Sequence, residues 1–183
     1  MDRTFWNPAA NCLFDCIQDR VPDGKIRPNQ IFAVSLPHLL LPSDRAEAVV
    51  QVVKEKLLTP YGLRSLAPDD PDYRPVYRGN EHERDSAYHQ GTVWAWLIGP
   101  FVDAYLNAFG ESEENVTYLK SLFEGFRRHL SEAMLGSISE IFDAEAPHAP
   151  KGCAAQAWSV AEVLRAYRKL QAIEAGRPLR AGD

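Results

Sequence analysis

The stretch GTVWAWLIGPFVDAYLNAF, Gly91 to Phe109, is apolar nearly all round a helical wheel. Val93, Trp94, Trp96, Leu97, Ile98, Phe101, Val102, Tyr105, Leu106 and Phe109 leave no broad polar stripe for water. A helix of this kind is buried on most sides. Pro100 is expected to bend it, and Gly110-Glu111-Ser112 to end it. Its neighbours read differently. After Ser43, a capping residue, Ala46, Val49, Val50, Val53 and Leu57 recur at helical spacing. Glu47, Gln51, Lys54 and Glu55 take the opposite side, so this helix has one wet face. Glu113–Leu135 is amphipathic again, through Val116, Leu119, Phe123, Phe126 and Leu130. Pro28 opens a short helix, Asn29–Leu36, which Pro37 and Pro42 close. Ala154–Leu170 forms a last, mostly apolar helix.

Wet-faced helices thus alternate with nearly all-apolar ones. That is the requirement of an α/α toroid, whose inner helices touch neighbours all round while outer helices show one face to water. The expectation is an all-α chain of about five helices: a partial (α/α)6 toroid, about half of a six-hairpin barrel. A plain helical bundle is the alternative. Residues 1–173 form the domain, and 174–183 a flexible C-terminal tail. Asn11–Gln18 reads as strand or helical turn. Residues 59–90, rich in Pro, Asp, Tyr and Arg, make a loop too long for a mere connection. Tyr61, Tyr73, Tyr77 and Tyr88 argue against its being disordered.

At 183 residues, 45% apolar and 25% charged, the chain is an ordinary one-domain globular protein. Its net charge of −5, with no basic stripe, disfavours nucleic acid and suits a neutral polar ligand. Three cysteines give no disulfide framework and suit a reducing compartment. The N-terminus lacks a signal-peptide pattern, and Val93–Val102 is too short to span a bilayer. The expected location is cytoplasmic, without membrane contact. The acidic run Glu81-His82-Glu83-Arg84-Asp85 fits no metal-ligand template and reads as ion pairs in a solvated loop. No nucleophile motif, P-loop or dinucleotide fingerprint occurs. Neither metal nor cofactor is expected.

Polar side chains stand beside aromatic ones at three expected helix starts. Tyr88-His89-Gln90-Gly91 precedes Trp94; Arg27-Pro28-Asn29-Gln30 precedes Ile31-Phe32; Gln156 precedes Trp158. Sugars have apolar C–H faces and hydroxyl rims, and their sites pair indole or phenol rings with Gln, His and Asn. Each stretch alone also reads as helix capping, with Trp94 and Trp96 as core anchors. Three together fit one shared pocket. The carboxylate best placed for chemistry is Glu140, in a short loop between Ile138 and Ile141. The alternative is a surface glutamate accepting a backbone N–H.

These segments carry a resemblance. Ile26-Arg27-Pro28-Asn29-Gln30, Tyr88-His89-Gln90-Gly91-Thr92-Val93-Trp94, Glu140-Ile141-Phe142-Asp143 and Gln156-Ala157-Trp158-Ser159 resemble the C-terminal amylo-α-1,6-glucosidase domain of glycogen debranching enzymes. The resemblance covers roughly residues 5–170 and implies an (α/α)6 toroid. It implies inverting, metal-free hydrolysis of α-1,6-linked glucose at glycogen branch points. By similarity Glu140 is the general base. Asn29, Gln30, Tyr88, His89, Gln90, Trp94 and Trp158 wall the glucose pocket. The family's general acid, an aspartate after a tryptophan, lies upstream of the matched region. The chain is therefore expected to hold the second half of the domain, to be weak or inactive alone, and to form a homodimer or join a separate N-terminal half. The partner is an α-glucan, glycogen or limit dextrin. A non-catalytic α-glucan-binding or assembly protein is the alternative.

Overall fold

The computed structural model describes residues 2–38 and 40–176. The chain opens with a single helical turn, α1 (Asp2–Phe5), and two small antiparallel hairpins. β1 (Trp6–Asn7) pairs with β2 (Cys12–Leu13), and β3 (Cys16–Gln18) with β4 (Val21–Asp23). Asn11–Gln18 is therefore mainly strand. A 3-10 turn, Pro28–Ile31, runs into α2 (Phe32–Ser35), with Pro28 at the first helical position, where its missing N–H costs no bond. α3 (Ser43–Lys56) buries Ala46, Val49, Val50 and Val53. Asp44 in its first turn and Lys54 and Lys56 in its last complement the helix dipole.

Then follow β5 (Leu58–Thr59), β6 (Gly62–Arg64), α4 (Glu81–Tyr88) and β7 (Val93–Trp94). A 3-10 turn over Ala95–Leu97 leads into α5 (Ile98–Phe109). α6 (Glu113–Ser121), α7 (Glu124–His129), β8 (Ile141–Phe142), β9 (Pro150–Lys151) and α8 (Ala157–Glu174) complete the described order. β5 to β9 form one antiparallel sheet in sequence order, with Trp94 opposite both Leu63 and Ile141.

The expected helices are present, but the all-α expectation missed this sheet. Its strands have two or three residues each, too few for an alternating pattern to show. Val93-Trp94 and Ile141-Phe142 are also continuous apolar pairs, buried throughout. For the same reason Gly91–Phe109 is not one helix. Its first part pairs in the sheet, and only Ile98–Phe109 is α-helical. Pro100 falls in the first turn of α5, where no intrahelical N–H bond is lost. Glu113–Leu135 likewise divides, at Leu122-Phe123, into α6 and α7.

Two glycines let the backbone close around the sheet. Gly62 has φ +124°, and a Cβ there would run into the Trp94 carbonyl. Gly91 has φ +147°, and a Cβ there would meet the Arg74 carbonyl and the Tyr73 ring. The stretch expected as one loop, 59–90, contains β6 and α4. Asn80 starts α4 with a reciprocal cap: its side chain accepts from Glu83 N (3.0 Å), and Glu83 Oε2 accepts from Asn80 N (2.7 Å). The remainder is pinned. Tyr73 Oη donates to Glu145 Oε1 (2.6 Å), and Tyr77 N to Asp143 Oδ1 (2.8 Å).

α5 is the central helix, packed against α2, α3, α6 and α8. Phe101, Ile98, Ile31, Leu57, Leu63, Leu119, Ile141, Phe142 and Leu170 are fully buried around it. Asp103 of α5 takes Arg165 Nη2 (2.7 Å) and Lys169 Nζ (2.9 Å) of α8, fixing the two helices in register. Of the expected tail, Glu174 ends α8 and is held by Lys120 (2.7 Å); residues 177–183 lie outside the described residues. No described helix is long and apolar enough to cross a membrane.

Candidate functional site

A cavity of about 590 Å³ opens where β7, α2, the start of α8 and the end of α4 meet, within the roughly 300–1,000 Å³ of small-ligand sites. One wall is aromatic. Phe32 stacks on Trp96 (5.9 Å, 29°), Trp96 on Trp158 (5.4 Å, 22°), and Trp158 meets Trp94 edge-on (5.9 Å, 77°). Trp158, in the first turn of α8, keeps 45% of its surface exposed, whereas Trp94 keeps 6%. His89 lies flat on Trp94, with centroids 5.1 Å apart and planes within 4°.

The other wall is polar and organised by Arg27. Its Nη1 donates to the carbonyls of His89 (2.6 Å) and Ser65 (3.1 Å), and its Nη2 to Gln90 Oε1 (2.6 Å). Its Nε stands 3.7 Å from Asp15 Oδ2. Asn29 Nδ2 donates to Asp15 Oδ1 (2.8 Å). Desolvation, then the Arg27 charge, lowers the His89 pKa, so its imidazole favours the neutral form.

Glu140 is reached through Trp94. The Tyr88 ring packs edge-on against Trp94 (4.8 Å), and its phenol donates to Glu140 Oε1 (2.5 Å). Glu140 Oε2 accepts from Cys153 N (2.9 Å). Burial first, then the bond to Glu140, raises the Tyr88 phenol above its ordinary value, so it stays a donor. Two donors fix the carboxylate and leave lone pairs on each oxygen able to take a proton from water. Rather than standing in a loop between two helices, Glu140 directly precedes β8, because Ile141 pairs with Trp94.

Asn29, His89, Gln90, Trp94 and Trp158 line the cavity together. Gln30, Tyr88 and Glu140 do not. Gln30 is buried, accepting from Leu13 N (3.3 Å) and donating to the Arg27 carbonyl (3.2 Å), so it braces the wall from behind. Tyr88 ends α4, and His89 and Gln90 follow it, rather than opening a helix; the asparagine cap at residue 80 starts that helix earlier than hydrophobic pattern reveals. Sequence reasoning passed over Arg27 as an anchor, although it stands in the Arg-Pro-Asn-Gln run. It passed over Asp15 and Ser65, and it read Phe32 as an apolar neighbour and Trp96 as a core anchor, though all four line the cavity. Asp15 reaches it through a hairpin that no local pattern foretells. Among the described residues, Asp15, Cys16 and Asp23 bring possible metal-ligand atoms within 4.8 Å of one another. The Asp15 carboxylate is already engaged by Asn29 and faces Arg27, so the group reads as a hydrogen-bonded hairpin end.

Solved structures share the fold. A GH63 mannosylglycerate hydrolase from Thermus thermophilus superposes with a TM-score of 0.57 over 91% of this chain and 35% of that one, at 17% identity. An uncharacterized conserved protein of the same organism does so at 0.57 over 91% and 36%, at 18% identity. The chain belongs to the amylo-alpha-1,6-glucosidase family, whose model matches residues 1–165. It is 29% identical over 168 residues to the glycogen debranching enzyme of Saccharomyces cerevisiae, covering 81% of this chain and 11% of that enzyme. It thus spans about a tenth of the length of that relative.

Proposed function

We propose that the chain forms the base side of a glycogen-debranching glucosidase site, binding an α-1,6-linked glucose and activating water through Glu140. The observation that carries this reading is the 2.5 Å bond from Tyr88, which ties the Glu140 carboxylate to the indole wall of the cavity. Trp158 offers an exposed face for sugar C–H groups. Asn29, His89 and Gln90 offer donors and acceptors for the hydroxyl rim. In inverting hydrolysis a water gives its proton to Glu140 while its oxygen attacks the anomeric carbon. The C1–O6 bond breaks on the opposite face, and O6 takes a proton from a second carboxyl group ~6.5–9.5 Å from the first. By the family resemblance that acid is an upstream aspartate. The helices then form part of an (α/α)6 toroid, completed by the upstream half of the domain or by a second copy. Three unpaired cysteines fit a cytoplasmic setting with glycogen.

The test separates base from acid. Positioned acid assistance contributes about 10²–10⁴-fold, so the chain alone should release glucose from limit dextrin slower than an intact debranching enzyme by that order. α-D-glucosyl fluoride needs no acid assistance, because fluoride leaves unprotonated. The chain should hydrolyse it, and Glu140→Gln should not. Equal rates for both proteins would remove Glu140 from the chemistry. A second reading, a non-catalytic α-glucan-binding or assembly protein, is favoured by one observation: Glu140 and Tyr88 are not among the cavity's lining residues. Oligosaccharide binding seen by tryptophan fluorescence, with no fluoride hydrolysis, would select it.

A further inference from the structure

We propose that His129 is a positioning residue for Glu140, an inference that rests on the role of Glu140 given above. His129 ends α7 and is completely buried, at 0% exposure. Its ring stands edge-on to Phe142 (4.8 Å) and to Tyr61 (6.2 Å). Both nitrogens have partners. Nε2 lies 3.2 Å from Ser139 N, and Nδ1 lies 3.2 Å from Glu132 Oε2. A backbone N–H can only donate, so Nε2 is the unprotonated acceptor and Nδ1 carries the proton.

The segment between the two residues, from Ser131 to Gly136, is exposed and makes no described contact with the cavity. The His129–Ser139 bond closes that loop at its base, immediately before the candidate base. Ser139 is 1% exposed, so without His129 its N–H would be buried and unpaired. Two backbone bonds next to Ser139 run to the other side: Glu140 N to the Cys153 carbonyl (2.9 Å), and Gln156 N to the Ile138 carbonyl (2.9 Å). His129 therefore holds the peptide from the α7 side while residues 153–156 hold it from the α8 side. Losing one hold lets the carboxylate drift from Tyr88 without touching the sugar-facing side chains. No reacting atom meets His129; it acts through Glu140.

The experiment compares the wild-type chain with His129→Phe, His129→Gln and Glu140→Gln. Phenylalanine keeps the packing against Phe142 and Tyr61 but offers no acceptor; glutamine restores one. His129→Phe is expected to lower α-D-glucosyl fluoride turnover roughly 10- to 100-fold, the scale of a small misplacement. Oligosaccharide affinity by tryptophan fluorescence should hold within about twofold, and His129→Gln should recover most of the turnover. Wild-type turnover in His129→Phe overturns the proposal. So does joint loss of binding and turnover that glutamine fails to recover. If the wild-type chain turns over no faster than Glu140→Gln, the function proposed above fails separately. The carbon NMR shift of the Glu140 carboxylate then decides: a signal moved by phenylalanine and restored by glutamine supports the positioning role, and an unmoved one overturns it. If His129→Phe does not fold, nitrogen NMR of the wild-type ring decides. Protonated Nδ1 with bare Nε2 supports the assignment, and any other protonation state overturns it.

Discussion

Tyr88 Oη and Glu140 Oε1 are joined by a 2.5 Å hydrogen bond between residues 52 positions apart. The bond links the end of α4 to the start of β8, and so couples an aromatic contact of the cavity to the candidate base. Tyr88→Phe keeps the ring against Trp94 and removes only the donor. It should lower glucosyl fluoride turnover by about tenfold, the low end of what one charge-assisted hydrogen bond supplies. Sugar affinity should change little. Steady-state kinetics beside a fluorescence titration check this; an affinity loss with unchanged turnover would make Tyr88 a sugar contact instead.

Trp158, proposed as a sugar platform, can be tested with little damage to the fold. Its ring is 45% exposed, so truncation leaves no large internal void. Trp158→Ala should weaken oligosaccharide binding at least tenfold, about 1.4 kcal/mol, while moving the melting temperature little. Trp96 reports the same event, since it stacks on Trp158. Its fluorescence should respond to sugar in the wild type and stop responding in the variant. Calorimetric titration supplies the affinities.

Arg27 should matter through its shape rather than its charge. Three acceptors from two separate stretches converge on one guanidinium: Ser65, and the adjacent His89 and Gln90. Lysine keeps the charge but gathers its donors on one nitrogen, which cannot reproduce the planar two-nitrogen fork of Nη1 and Nη2. Arg27→Lys should therefore lose about 1.5–3 kcal/mol of stability, the scale of one charged hydrogen bond, and should loosen His89 and Gln90 together. Denaturant melts and sugar titration check this. Full sugar affinity in Arg27→Lys would show that the rim holds its shape without the fork.

Tyr73 and Tyr118 give the protein an alkaline weakness. Burial pushes both phenols up to about 12, and for Tyr73 the bond to Glu145 adds to it. An unfolded chain releases a tyrosine proton near pH 10, while the native chain still holds it. The native state thus binds more protons across that window, and stability falls as pH rises. The melting temperature should be level below about pH 9.5 and drop between about 10 and 12. Tyr73→Phe should flatten part of that drop. An unchanged alkaline profile in the variant would assign the loss to other groups.

The helices were legible because their apolar spacing extends over several turns. α3 shows this best: the residues expected inside, Ala46, Val49, Val50 and Val53, are those that are buried. The central sheet was not legible. Strands as short as Val93-Trp94 and Ile141-Phe142 are fixed by partners far along the chain, and no local period records such pairing. Of the expected pocket residues, Asn29, His89, Gln90, Trp94 and Trp158 converge because their stretches carry polar and aromatic groups side by side. Gln30 shares that local character and yet turns inward to Leu13 and Arg27. The direction of its side chain depends on the β1–β2 hairpin, which the local composition does not encode. Asp15 and His129 were unreadable for a related reason, since each touches a partner beyond the reach of a local pattern, Asn29 and Ser139.

The most direct test of the central claim is the anomeric form of glucose first released from α-D-glucosyl fluoride, followed by proton NMR before mutarotation. Water activated by Glu140 on the face opposite the leaving group must give β-glucose, and Glu140→Gln must abolish the signal. Release of α-glucose, or a rate that survives the substitution, would contradict the account.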